Sequence, residues 1–489
     1  MEKVKEIIKK HENISIILLI LLIITGFCTN IYLTKGDEIW NFQNICKMLN
    51  GYKIYTDANV IITPLFHFIG YIFLKIFGQN LLVFRIYNII IMTLMYFLIY
   101  KILRNIFKNK FVAFTSFIAI IIQTVSLCTC GANYNTLAMI FVLLGSYLNL
   151  VWIEKNEKHN IIQGIIMFLI FFTKQNIGAF YVVGIIVYNL IKEKNIKNIL
   201  KQLSTLLILI FITIGVFVYF DIFHDFINCA ILGIGEFAKE NLGGSIVNII
   251  QTVCFGIFAG GFTIFLIKMK KIEGKAKEKL ILLSAIAIPL MLIGFPIYNN
   301  YHKILSNIVL FLAIIYILDY VLFSNLSFSD KIKKYLKIFL AIIILFYIVI
   351  SMLNFYAWIA AIKDNIYFDN NHVFFGGYLK EEQTKEFENI TGYIKRSDKN
   401  VIVLTDDAAL YMIPLKRNNG VMDLPFLGNM GQEGEEKITN KIKETHNTIF
   451  LIKKEDDDLF WQESKKVNNY IKENLNYIGN IERYAIYGN

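Results

Sequence analysis

Charge is scarce in this chain. Asp, Glu, Lys and Arg make up only 18% of the 489 residues, against about 25% in a soluble domain. Over half the residues, 56%, are hydrophobic, with 41 Phe and 27 Tyr, and the mean hydropathy is +0.53. A soluble globule is excluded. No cysteine follows position 254: the six stand at Cys28, Cys46, Cys128, Cys130, Cys229 and Cys254, so no disulfide framework is indicated. Cys128 and Cys130 lack the second close pair that a cysteine metal site would need. Proline is down to five, and with the enrichment in Ile, Asn and Lys this points to an AT-rich bacterial genome and hence a plasma membrane. No internal repeat is evident, and apart from Lys174 and Asp319 the apolar runs are nearly free of charge.

The net charge of +11 would by itself suggest nucleic acid, but its distribution excludes that partner. Residues 1–362 hold about 32 basic and 17 acidic side chains, and residues 363–489 about 17 and 21. The excess therefore lies in loops between apolar runs, as basic loops at one membrane face do. Runs of spanning length lie at about 14–33, 81–103, 111–127, 134–152, 199–220, 247–267, 279–297, 303–323 and 336–357. Basic clusters around Lys101–Lys110, Lys155–Lys158, Lys192–Lys201, Lys268–Lys279 and Lys331–Lys337 are assigned to the cytoplasm together with Lys3, Lys5, Lys9 and Lys10. The first run is read as a retained helix, since no small-residue cleavage site follows it.

Parity then decides two regions. Residues 63–78 do not cross, being about 24 Å long as a helix against a core of roughly 30 Å. Residues 160–191 cross twice, with a turn at Thr173, Lys174, Gln175 and Asn176 sunk in a protein-lined cavity. The expected fold is a polytopic α-helical membrane protein of about eleven spans, N-terminus cytoplasmic, with in-plane helices in its outer loops. Its domains are residues 1–362 and a small extracytoplasmic α/β domain at 363–489. In that domain Lys380–Lys395 and Leu459–Leu475 read as helices, and Val401–Leu404, Thr448–Ile452 and Tyr484–Tyr487 as strands. Asp406 and Asp407, at a strand's C-terminal end, either cap the next helix or bind a ligand.

The chemistry-bearing residues fall in the outer loops. Gly36-Asp37-Glu38-Ile39-Trp40 opens a helix with apolar Ile39, Phe42, Ile45, Cys46 and Leu49, stopped by Asn50-Gly51; this predicts an interfacial helix with Trp40 as anchor and two carboxylates at the bundle rim. Asp57, Thr63-Pro64-Leu65 and Arg85 follow, with His67 read as structural. Lys174 at membrane depth is either a phosphate ligand or a snorkelling turn residue, and Arg85 has the same two readings. Tyr298, Asn299, Asn300, Tyr301 and His302 form a polar aromatic turn suited to stacking on a sugar or to interfacial anchoring. Tyr301, His302, Asp57 and Gln175 are the candidate substrate-binding set. Asp221, His224, Asp225, Glu236 and Glu240 could hold a divalent metal or form a loop over the site; no other cofactor is indicated.

The order of these features, a first span, an outer Asp-Glu on an in-plane helix, a Gly-Tyr element, a Pro-Leu helix ending in Phe-Gly and an Arg at the next span, resembles the GT-C integral-membrane glycosyltransferases. The nearest likeness is to the protein O-mannosyltransferase and aminoarabinose-transferase-like families. It covers about residues 30–105 by motif and the later spans by layout. The resemblance implies a polyprenyl-phosphate-linked sugar as donor, inversion at the sugar and Asp37 as catalytic residue, with Glu38 beside it. The acceptor would be a glycolipid, a wall polymer or a protein. Many relatives carry Lys or His with two prolines where this chain has Thr63-Pro64-Leu65. A phosphate contact from that place is therefore not expected, and Lys174 and Arg85 are the candidate phosphate-binding residues. The rival class is a transporter or lipid-linked sugar flippase, which would need ionisable groups or broken helices near mid-membrane.

Overall fold

The computed structural model describes residues 11–29, 33, 36–107, 109–193, 196–240, 243–244, 246–270, 272–320, 330–363, 368, 371–454 and 463–489. Lys3, Lys5, Lys9, Lys10, Lys108, Lys194 and Lys271, which enter the sidedness argument, lie outside the described residues, as does the 459–462 start of the expected second C-terminal helix.

Seven described helices are long and apolar enough to cross a membrane: Glu12–Thr29, Leu81–Ile106, Lys110–Cys130, Tyr134–Lys155, Ile196–Tyr219, Ile246–Lys268 and Ile338–Ala361. An eighth is added if Asn300–Ser306 and Ile308–Leu318, bent by 52°, form one span. The expected eleven differs because three apolar stretches fold as helices too short or too polar to count: Asn160–Thr173, Gln175–Glu193 and Gly274–Leu290. The 63–78 region forms Leu65–Phe77, 13 residues or about 20 Å, again short of a span.

The chain divides into two compact units. The first comprises Met1–Ile31, Arg85–Phe211 and Gly243–Ala360. Its helices are bounded by ordinary local chemistry. Asn133, in extended backbone, caps Tyr134–Lys155 by accepting the amides of Asn135 and Thr136 at 3.0 and 3.1 Å, and Asn156 ends that helix in the left-handed conformation. Asn160–Thr173 breaks at Lys174, whose backbone is extended, and Gln175–Glu193 packs back on it. A Cβ at Gly178 would fall 2.3 Å from the Phe171 Cα, so only glycine permits this approach. Amides join these helices: Asn149 donates to Gln163 at 2.6 Å, Gln163 to the Tyr181 hydroxyl at 3.2 Å, Gln202 to Asn160 at 3.0 Å and Asn189 to Gln202 at 3.0 Å. A short parallel pair links β1 (Gly243–Gly244) to β2 (Ile297–Tyr298).

Three of the basic clusters are joined by ion pairs and a carbonyl contact in this unit. Glu12 receives Arg104 at 2.9 Å and Lys110 at 3.1 Å, Glu154 receives Lys279 at 2.5 Å, and Lys192 pairs with Glu278 at 2.9 Å. Lys279 also donates to the Asn105 carbonyl at 2.8 Å. Clusters separated by more than 170 residues thus share one face, as the charge pattern requires.

The second unit comprises Tyr32–Phe84, Ile212–Leu242 and Ala361–Asn489. Its sheet holds β3 (Asn400–Val403), β4 (Thr448–Lys453), β5 (Asn476–Ile481) and β6 (Tyr484–Gly488) in the order β3-β4-β6-β5. β3 and β4 are parallel, with Val403 opposite Leu451, and β6 is antiparallel to β4 and β5. All six residues of β4, Thr-Ile-Phe-Leu-Ile-Lys, are buried, as a continuous apolar run in a central strand should be. Ile402, Leu404, Phe450, Ile452 and Ala485 form one core with Ile438 and Ile442 of helix Gly434–Glu444 and Val467 and Ile471 of helix Lys465–Asn474. Every residue of this core comes from the C-terminal segment.

Candidate functional site

The helix Asp37–Leu49 starts after Gly36, whose φ of 132° is open to glycine alone, and ends before Gly51 at φ 89°. At 100° per residue it presents three faces. Phe42, Ile45 and Cys46 are buried, and Phe42 packs 5.4 Å from Phe84 and 6.5 Å from Phe374 between ring centroids. Glu38 belongs to that face and is only 6% exposed. Asp37, Asn44 and Met48 share the opposite side and are half-exposed. Of the two carboxylates, Asp37 is the one an outside molecule can reach.

The third face corrects the interfacial reading. Trp40, Gln43 and Lys47 are not presented to a headgroup layer, because the C-terminal segment covers them. The Trp40 indole donates to the Asp406 carbonyl at 2.8 Å and its ring lies 4.9 Å from Phe426. Gln43 donates to the Asp423 carboxylate at 3.2 Å, and Lys47 forms an ion pair with the same oxygen. Periodicity revealed the apolar face but could not reveal a partner some 380 residues away. Asp57 accepts the Lys53 amide at 2.8 Å and so closes its own turn. His67 is buried, with Phe66 edge-on at 5.3 Å.

In the first unit, three of the candidates come together. The Lys174 ammonium stands 4.4 Å from the centroid of the Tyr134 ring, a cation–π contact. Tyr301 donates from its hydroxyl to Asn133 at 2.8 Å, and its ring meets His302 edge-on at 5.3 Å. Lys174 is near enough to His302 to act on it electrostatically. Gln175 is buried beside Lys174 in the chain. Lys303, unremarked in the sequence, donates to Asn248 at 2.8 Å and Gln251 at 3.2 Å. Arg85 is fully buried and donates to the Thr29 carbonyl at 3.1 Å.

The C-terminal segment holds a second set of charges that sequence reasoning saw only in part. Asp407 stands at the start of helix Ala408–Met412 but makes no side-chain cap; its carboxylate instead takes Thr405, Arg483 and Tyr484, the last at 2.7 Å. Arg483 also reaches Glu386 at 2.7 Å. Asp406 receives the Lys453 ammonium at 2.7 Å, which Glu463 shares at 3.2 Å. Burial, and then the charge of Asp406, pushes the Glu463 carboxyl up to about 7 against the opposing pull of Lys453. Burial alone would lower the Lys453 pKa, but its hydrogen bond to Asp406 and the neighbouring carboxylates raise it.

Among the described residues no group of three His, Cys, Asp or Glu side chains is disposed to hold a metal. In the 221–246 loop, Asp225 accepts the Thr56 hydroxyl at 2.7 Å and His224 lies 3.8 Å from Asp225. All six cysteines are free.

Residues 62–219 match the family model of the dolichyl-phosphate-mannose-protein mannosyltransferases. No curated protein matches the chain. The match supports the resemblance to the GT-C mannosyltransferases and, with the apolar helices, a multi-pass membrane glycosyltransferase. It takes in Thr63, Arg85, Lys174 and Gln175; Asp37, Glu38 and Asp57 precede it, and Tyr301 and His302 follow it.

Proposed function

We propose that the protein transfers a sugar from a polyprenyl-phosphate carrier to an acceptor hydroxyl at the outer face of a bacterial plasma membrane, with inversion at the sugar. The observation that carries this reading is the match over residues 62–219 to a family that uses a dolichyl-phosphate sugar. The apolar helices support a lipid-borne donor.

In this reading the Asp37 carboxylate takes the acceptor's hydroxyl proton as its oxygen attacks the anomeric carbon. The bond from that carbon to the phosphate oxygen breaks, and its electron pair leaves with the phosphate. Phosphate departs as a stable anion, so Lys174 need only stabilise charge and no strong acid is required. Glu38 stands beside Asp37 in the chain, turned toward the apolar face. Asp57, Gln175, Tyr301 and His302 bind the substrate, Tyr301 and His302 by presenting ring faces to a sugar. The acceptor is a glycolipid, a wall polymer or a protein.

The test is sugar transfer by purified full-length protein from a radiolabelled polyprenyl-phosphate hexose. Asp37→Asn keeps the shape and removes the base, so turnover should fall by about 10² to 10⁴, and Glu38→Gln should lose less. Turnover of Asp37→Asn within a few-fold of wild type would sink the mechanism. Movement of the intact lipid across vesicles without sugar release would replace it with the flippase reading.

A further inference from the structure

The acidic helix is joined to the rest of the chain by glycines at both ends. Gly36 at φ 132° and Gly51 at φ 89° have nothing within 4 Å of where a side chain would begin, so neither joint is braced by packing. The pose of Asp37–Leu49 is therefore set along its length. One face is held by apolar contacts with Phe84 and Phe374 and by a Cys46–Gln79 hydrogen bond. Another is held by directional groups at positions 40, 43 and 47, one stripe of a helix, and the contacts of these three end on residues 406–426.

We propose that the C-terminal segment is the positioning element of the acidic helix, with Asp423 as its principal positioning residue and Trp40 as the second anchor. A single carboxylate receives both Gln43 and Lys47, one turn apart, and so fixes rotation about the helix axis. Trp40 fixes the end nearest Asp37 through its hydrogen bond to the Asp406 carbonyl and its contact with Phe426. Rotating the helix by one residue's 100° would carry Asp37 off the open side. Lys47 is 5% exposed and Asp423 2%, so removing the carboxylate leaves an ammonium buried without its counter-charge, a strong reason for the helix to leave. The catalytic consequence rests on Asp37 being the base; the grip itself does not.

Cys46 reports the grip without reference to activity. It lies on the buried face, where burial pushes its thiol up to about 12 from an ordinary 9.0. Undocking returns it toward the ordinary value and raises its thiolate fraction at pH 8 by up to about 10³. The experiment follows maleimide labelling of purified full-length protein in detergent, in which Cys46 is the sole cysteine. A parallel protein keeps only Cys128, which is buried in the first unit. Asp423→Ala should accelerate labelling of Cys46 at least tenfold and leave Cys128 unchanged. Lys47→Met with Asp423→Leu, which leaves no buried ammonium, should bring Cys46 back to within a few-fold of wild type. Unchanged labelling of Cys46, or equal acceleration at both cysteines, overturns the proposal. With a competent donor, Asp423→Ala should lower kcat about tenfold at unchanged donor KM; a raised KM at full kcat overturns it as well. Failure of the wild type to transfer sugar defeats the proposed activity and leaves the labelling result standing.

Discussion

Lys453→Met tests the buried charges of the C-terminal sheet. Lys453 closes β4 and is placed by the parallel register of β3 and β4 beside Asp406, which follows β3. Its ammonium lies 2.7 Å from Asp406 and 3.2 Å from Glu463, and none of the three side chains is more than 2% exposed. Removing the one cation leaves two buried carboxylates facing each other, which costs about 3 to 5 kcal/mol. Replacing all three by Met, Asn and Gln leaves no charge to solvate and should recover most of that loss. The dependence on pH has a definite sign. The native state raises the Glu463 pKa from 4.5 to about 7, so this group favours the native state below about pH 4.5 and the advantage is lost as pH rises through about 7. The wild-type contribution is roughly 3 kcal/mol at most. The Lys453→Met defect should accordingly be large at pH 8 and less than half as large at pH 5. Pulse proteolysis in urea, applied to full-length protein in detergent and scored on the C-terminal segment, measures both. A Lys453→Met protein within about 1 kcal/mol of wild type at pH 8, or a triple variant as unstable as the single one, would refute the reasoning.

Residues 363–489, with a core drawn wholly from their own strands and helices, should fold when expressed alone and give one cooperative urea transition; a featureless melt would count against this. Lys174→Gln should weaken donor use while Lys174→Arg keeps part of it, since the charge is preserved and the fork geometry differs; equal turnover of Gln and wild type would leave Lys174 as a turn residue stacked on Tyr134. In intact cells, a cysteine at Gln79 should react with an impermeant maleimide and one at Lys110 should not; the reverse pattern would invert the topology.

Much of the architecture is legible because membranes impose length rules that act on single segments. Leu65–Phe77 is a helix of only 13 residues, and the 160–191 region breaks at Lys174 into two helices, both as read from the run lengths. In the C-terminal segment β3, β4 and β6 were visible as apolar runs, whereas β5, with the sequence Asn-Tyr-Ile-Gly-Asn-Ile, was not. It is an exposed edge strand, held by β6 across a two-residue turn at Glu482 and Arg483, and edge strands need not carry an apolar pattern.

The linear sequence by itself determined which segments are apolar, roughly where helices start and stop, and which carboxylates and cations fall between the apolar runs, because each of these depends on neighbours a few residues away. Tertiary structure alone decided which of those groups meet. Asp406 and Glu463 share Lys453 where the local pattern offered a helix cap or a ligand group; Arg85 is buried against Thr29 where its position suggested a phosphate ligand or a snorkelling side chain; and Trp40, Gln43 and Lys47 are held by residues 406–426 where periodicity suggested a lipid surface. A charged side chain is stable wherever its desolvation is matched, by water or by a counter-charge, and the sequence carries no sign of which of the two it will find.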